Sequence, residues 1–322
     1  MNTAWLTLLL LLTGATPSSA EVAVLLEEPY GTFGAFNPTG HSAVYLSDVC
    51  AASPTKLRRC EPGEPGVVIS RYSRIAGHDW VAIPVIPFFY AVDRVEDMPA
   101  APDRATVKAL QAEWRHRHLA EVAPDGPDGK APRGDWHELI GVAYSRATYA
   151  FQLETTPEGD NRLIARLNSR PNRRRFQLVF PNCADFVRNI VNIYYPHALR
   201  RSVLADAGIA TPKQMARCMV RYGRRHPDLQ LSSFFVPQVP GSRVHSKAVR
   251  HVLEGLVWSK KYVVPLAVFH PWVAATIGAW YLTGGRFNPA RNVAKLPGAP
   301  PDWVRTRVDE VQQPPTQARG AW

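Results

Sequence analysis

At 322 residues, 46% apolar and 20% charged, the chain has a globular composition with room for one large domain or two small ones, which excludes a disordered or fibrous protein. Its 38 Lys and Arg against 27 Asp and Glu leave a formal charge of +11, and such a surface favours nucleic acid, acidic polymer or anionic lipid as partner. Neither Cys-x-x-Cys nor His-Glu-x-x-His occurs, so no metal site is supported and no cofactor is expected.

The apolar run Trp5 to Leu12, a breaking segment Thr13 to Pro17 and small residues Ser18 and Ala20 have the layout of a secretory signal over residues 1–20. A basic n-region is missing, and as a membrane anchor the run is too short. Export to a periplasmic or other extracytoplasmic compartment argues against nucleic acid as partner and permits disulfides. Cys50 and Cys60 bracket a polar loop, Ala51 to Arg59, that suits a local bridge. Cys183 and Cys218 could pair with each other instead of staying free.

Glu21 to Glu27 reads as a strand, followed by a Gly- and Pro-rich loop from Pro29 to Gly40. His41 to Ser47 is a second strand with His41 at its mouth, and Gly66 to Ser73 is its expected antiparallel partner. Trp80 to Tyr90, interrupted by Pro84 and Pro87, reads as a buried extended segment. Expected next are a polar helix over 104–120, a loop over 124–133, a helix over 135–146, a strand over 148–155 and a helix over 157–167.

The strand-like run Arg175 to Phe180 stops at Pro181, and Phe186, Val187, Ile190, Val191 and Tyr194 then mark one helix face. Asn182 is a good N-cap, which places Cys183 in the first turn, where free amides and the helix dipole favour a thiolate. The alternative is a small apolar residue packed under the helix, because free cysteine is among the most buried residue types.

Beyond a helix opened by Thr211-Pro212, residues 200–261 carry twelve Lys or Arg against three Asp or Glu. The uncharged stretch Tyr262 to Leu282 is 21 residues long, close to a bilayer span, but contains Pro265, His270, Pro271 and Gly278. Contact with an anionic membrane, as a span or a re-entrant hairpin, is expected there, with a buried helix pair as the alternative. The Pro-rich tail, 288–322, reads as disordered or draped over the surface.

A histidine opening an early strand, in Gly40-His41-Ser42-Ala43-Val44-Tyr45-Leu46, and a later Asn182-Cys183-Ala184-Asp185-Phe186 resemble the circularly permuted papain-like thiol hydrolases of the NlpC-type superfamily. The thiol motif is similar to that of its lecithin:retinol acyltransferase branch, and uncharacterised bacterial envelope proteins share the pattern. The resemblance covers roughly Glu21 to Tyr195. It implies an α+β permuted papain-like domain over 21–199, with an antiparallel sheet packed on a nucleophile-bearing helix, and a mainly helical region over 200–287.

The resemblance also implies that Cys183 is the nucleophile, His41 the general base, and backbone amides at the helix start the oxyanion donors. A third polar residue on the next strand should orient the imidazole. Pairing the hairpin about its loop brings Ser73 to His41, with Arg71 on the same face and His78 just beyond. None is the clean His or Asn that such a role prefers, a departure from the pattern. Asn182, Arg71 and His78 are candidate binding residues.

Two functions compete. One is an exported cysteine hydrolase or acyltransferase acting on an amide or ester of a peptide or lipid in the cell envelope. The other is a catalytically inactive envelope protein that binds lipid, cell-wall material or a protein partner.

Overall fold

The computed structural model describes residues 20–305 except 32–37, 74, 130–131, 133, 174–176, 178–180, 242, 258–259 and 285. The expected signal and most of the expected strand at 175–180 lie outside the described residues.

The strands are β1 (Glu21–Glu27), β2 (His41–Leu46), β3 (Val49–Ser53), β4 (Lys56–Arg59), β5 (Val67–Ser70), β6 (Val81–Pro84), β7 (Thr148–Glu154) and β8 (Ser232–Val236). Six of them form one antiparallel sheet in the order β6-β5-β2-β1-β7-β8, while β3 and β4 form a separate ribbon between β2 and β5 in sequence. Cys50 and Cys60 are bridged across that ribbon, as expected. A disulfide fits an oxidising compartment outside the cytoplasm.

Side chains alternate across a strand, and here both faces are buried. Ala23, Leu25, Ala43, Tyr45 and Val68 join one core; Val22, Val24, Leu26, Val44 and Leu46 join the other. The first face is covered by a short helix, α1 (Val85–Tyr90), by Trp114 of helix α2 (Arg104–His118), and by two tight turns around Trp136 and Tyr144. The predicted helix over 135–146 is therefore two single turns, with Gly141 at φ +71 between them. Pro84 and Pro87 divide the predicted extended segment at 80–90 into β6 and α1, because proline suits the edge of a strand and the first turn of a helix.

Helices α3 (Pro157–Asn168), α4 (Cys183–Tyr194) and α6 (Pro212–Gly223) lie on the second face, and α5 (Val203–Asp206) is a single turn between α4 and α6. In α4 the residues at three- and four-residue spacing, Phe186, Val187, Ile190 and Val191, are all buried; each contributes on the order of 1.5–3 kcal/mol of apolar burial. Strand β8 pairs with β7, so a boundary at residue 199 passes through one sheet.

The 262–282 stretch does not form one long helix. It divides into α8 (Lys260–Phe269) and α9 (Pro271–Gly284) after the short α7 (Val252–Val257), because Pro271 lacks the N–H needed to continue α8. Among the described residues no helix is long and apolar enough to cross a membrane. The tail re-enters the fold through α10 (Pro289–Val293) and α11 (Asp302–Arg305), where Trp303 is buried and stacks on Phe89 at 5.3 Å.

Candidate active site

Cys183 opens α4 as the sequence predicts. The Asn182 Oδ1 accepts from the Asp185 amide at 2.9 Å, and Asn182 Nδ2 donates to the Ala210 carbonyl at 2.9 Å. These bonds make Asn182 a pin for the helix start. Asp185 also accepts from Arg201 at 2.7 Å, which anchors the same turn from outside.

Ser42 and the Ala184 amide lie beside the Cys183 sulfur and favour a thiolate, although the buried Ser42 hydroxyl makes no hydrogen bond among the described residues. Burial nevertheless dominates and pushes the thiol above its ordinary pKa. Cys183 is only 8% exposed, so desolvation of the charged form outweighs the helix start. Both Cys183 and Cys218 are free thiols, which removes the alternative in which they pair.

Gly40 sets the path into β2. Its φ is +69, and a Cβ there would lie 2.2 Å from the Glu27 carbonyl oxygen, so only glycine brings the chain onto β1 at this point. His41 follows, paired across the strands with Glu27. Its ring stacks on Tyr72 at 3.8 Å, and Nε2 lies 2.9 Å from Ser70 Oγ. Burial holds the imidazole well below its usual pKa, and the nearby Arg146 guanidinium acts in the same direction.

Ser70, not Ser73, is the hydroxyl at His41. The β2–β5 register pairs Val44 with Ile69, which carries Tyr72 opposite His41 and leaves Ser73 one residue further on. A one-residue slip exchanges the faces of a strand, so Arg71 also moves. Arg71 lies on the opposite face from His41, where its guanidinium is over Phe186, donates to the Asn182 carbonyl at 3.2 Å and pairs with Asp79 at 2.7 Å. It braces the start of α4. His78 sits in the following turn, its amide bonded to the Ile75 carbonyl, and no described contact joins it to Cys183 or His41.

His41 and Cys183 are thus neighbours through Ser42 without being bonded. His41 shares a face with Ala43 and Tyr45, whereas α4 packs on the face of Val44 and Leu46. Among the described contacts no hydrogen bond joins imidazole and sulfur.

A buried ionic group surrounds His41 on its own face. Arg146 Nε lies 3.1 Å from Glu27, and the same guanidinium binds Glu138 and donates to the Tyr72 hydroxyl at 2.6 Å. Tyr72 donates to Glu138 at 3.1 Å, and Tyr30 also bonds Glu138. Burial pushes Glu27 up to about 7 against the pull of Arg146. Sequence reasoning missed this group. Its one visible trace was the charged Glu27, directly after the apolar run Val22 to Leu26.

No family model matches this chain, and no curated protein or solved structure matches it either.

Proposed function

We propose that the chain is an exported, permuted papain-like thiol hydrolase or acyltransferase that attacks an amide or ester carbonyl through Cys183. The observation that carries this reading is a thiol in the first turn of a helix capped by Asn182, beside Ser42 and with a histidine next along that strand. A nucleophile, donors for a developing negative charge and a candidate base then occupy one strand end. Ser70 holds His41 Nε2 on the face away from α4, at the place the resemblance gives to the third residue.

Acyl transfer in this arrangement begins with both groups neutral. The thiol proton passes to His41 Nδ1, sulfur bonds to the carbonyl carbon, and the oxyanion is met by backbone amides at the start of α4. Collapse expels the amine or alcohol, which takes the proton from the imidazole, and leaves a thioester on Cys183. Water or an acceptor amine then releases the acyl group. In the structure the imidazole and α4 lie on opposite faces of β2, so this transfer requires His41 to leave its place against Tyr72 and Ser70.

The same placement favours a second reading, a catalytically inactive envelope protein, in which Cys183 is a packed thiol and His41 belongs to the ionic group around Arg146. Turnover of activated esters by the mature chain separates the two. The enzymatic reading expects Cys183→Ala and His41→Ala each to lower turnover about 100-fold or more, with Cys218→Ala unchanged. Equal rates in all four proteins would leave the inactive reading.

A further inference from the structure

A second feature lies away from Cys183, where the basic excess of residues 200–261 is concentrated. Arg217, Arg221 and Arg225 recur every four residues along α6 and the turn that follows it, so they form one stripe. The stripe faces the segment Pro196 to Ser202, and between them is a groove of about 610 Å³ that also receives Arg200, His197 and His226.

Like charges four residues apart destabilise a helix, and here the two acids Asp185 and Asp206 have partners of their own. Asp185 binds Arg201 and Arg188, and Asp206 binds His251 at 3.0 Å. Among the described residues no carboxylate forms an ion pair with Arg221 or Arg225. Arg217 is half-buried, and burial together with Arg221 lowers its pKa, a sign of crowded positive charge. An anion in the groove relieves that crowding, and guanidinium forks match phosphate oxygens in bidentate geometry.

The surroundings favour a lipid as the source of the phosphate. Ser202, at the rim of the groove, caps α5, and α5 packs against α9. Val203, Val268, Phe269 and Trp272 are 70, 67, 75 and 84% exposed, an apolar surface running from the groove rim along α8 and α9. An arginine groove beside exposed apolar helices is the pattern of a membrane interface, with charge at the head groups and apolar side chains in the acyl layer.

We propose that the groove between α6 and residues 196–202 binds the phosphate head group of an anionic phospholipid while α8 and α9 lie against the acyl layer. The proposal is independent of the chemistry at Cys183.

Co-sedimentation of the full mature chain with phosphatidylcholine vesicles, with and without phosphatidylglycerol, tests it. Phosphatidylglycerol should strengthen binding, and Arg221→Gln with Arg225→Gln should weaken it about 10- to 30-fold. Arg162→Gln with Arg166→Gln removes the same charge from the exposed side of α3 and should change binding less than about threefold. A second readout needs no variant. Cys218 lines the groove as a half-buried thiol, so phosphatidylglycerol vesicles should slow its alkylation by maleimide and phosphatidylcholine vesicles should not.

Equal loss from the two double variants would reduce the effect to diffuse charge and overturn the site. Equal binding to both vesicle types would overturn the head-group role. Protection of Cys218 by inorganic phosphate, with no preference for phosphatidylglycerol, would make the groove a site for a soluble anion and overturn the lipid assignment.

Discussion

His41 Nε2 and Ser70 Oγ lie 2.9 Å apart on adjacent strands, so the candidate base is held by a hydroxyl. A hydroxyl carries no charge with which to stabilise an imidazolium, and it fixes only the ring's position. Ser70→Ala should therefore lower Cys183-dependent ester turnover by about 10-fold, through kcat more than KM, whereas Ser73→Ala should stay within about twofold. Steady-state kinetics on the two variants measures the contrast.

The difference between Ser70 and Ser73 shows what the sequence carried and what it did not. Alternation located both strands, and the helix period with an Asn cap located α4 and Cys183. Register depends on where the inserted β3–β4 ribbon leaves and rejoins the sheet, and composition does not encode that to one residue. The partition of side chains between faces follows from register, so the separation of His41 from α4 was equally hidden. Glu27, Arg146, Glu138, Tyr30 and Tyr72 come together from distant segments, which a local pattern cannot reveal. Trp303 was masked in another way: its Pro-rich surroundings looked like a solvated tail, yet one large ring is enough to dock the segment on Phe89.

The buried thiol sets a pH dependence. Burial raises the Cys183 pKa, so the neutral thiol is the favoured form near pH 7 and the thiolate fraction grows with pH. Alkylation of native Cys183 should rise about tenfold per pH unit through pH 7 to 8. A plateau beginning near pH 6, measured by peptide mapping, would instead report a thiolate–imidazolium pair.

Glu27 couples the ionic group to stability. Its folded pKa of about 7 lies above its ordinary 4.5, so the protonated form is the one the fold favours. Its contribution is complete below pH 4.5 and is lost as pH rises through 7, by up to about 3 kcal/mol. Glu27→Gln, which keeps the shape without the charge, should gain stability relative to the parent chain between pH 5 and pH 8. Urea unfolding at the two pH values gives the difference, and a pH-independent difference would contradict it.

Trp303 gives the tail a structural role. Trp303→Ala removes a ring that stacks on Phe89 and meets Tyr45 and Phe234 edge-on, and should cost about 3 kcal/mol of stability. Thermal melts of this variant and of the chain ending at residue 287 should show losses in the same direction. Unchanged melting would make the tail a surface strap.

The most direct test of the account is the covalent intermediate. The mature chain is mixed with an activated acyl ester, quenched in acid, and analysed by intact mass and peptide mapping. One acyl group should appear on Cys183 and none on Cys218, and His41→Ala should form the adduct about 100-fold more slowly. Acylation of Cys218 at the same rate, or an adduct on Cys183 that forms equally fast without His41, would contradict a catalytic Cys183–His41 pair.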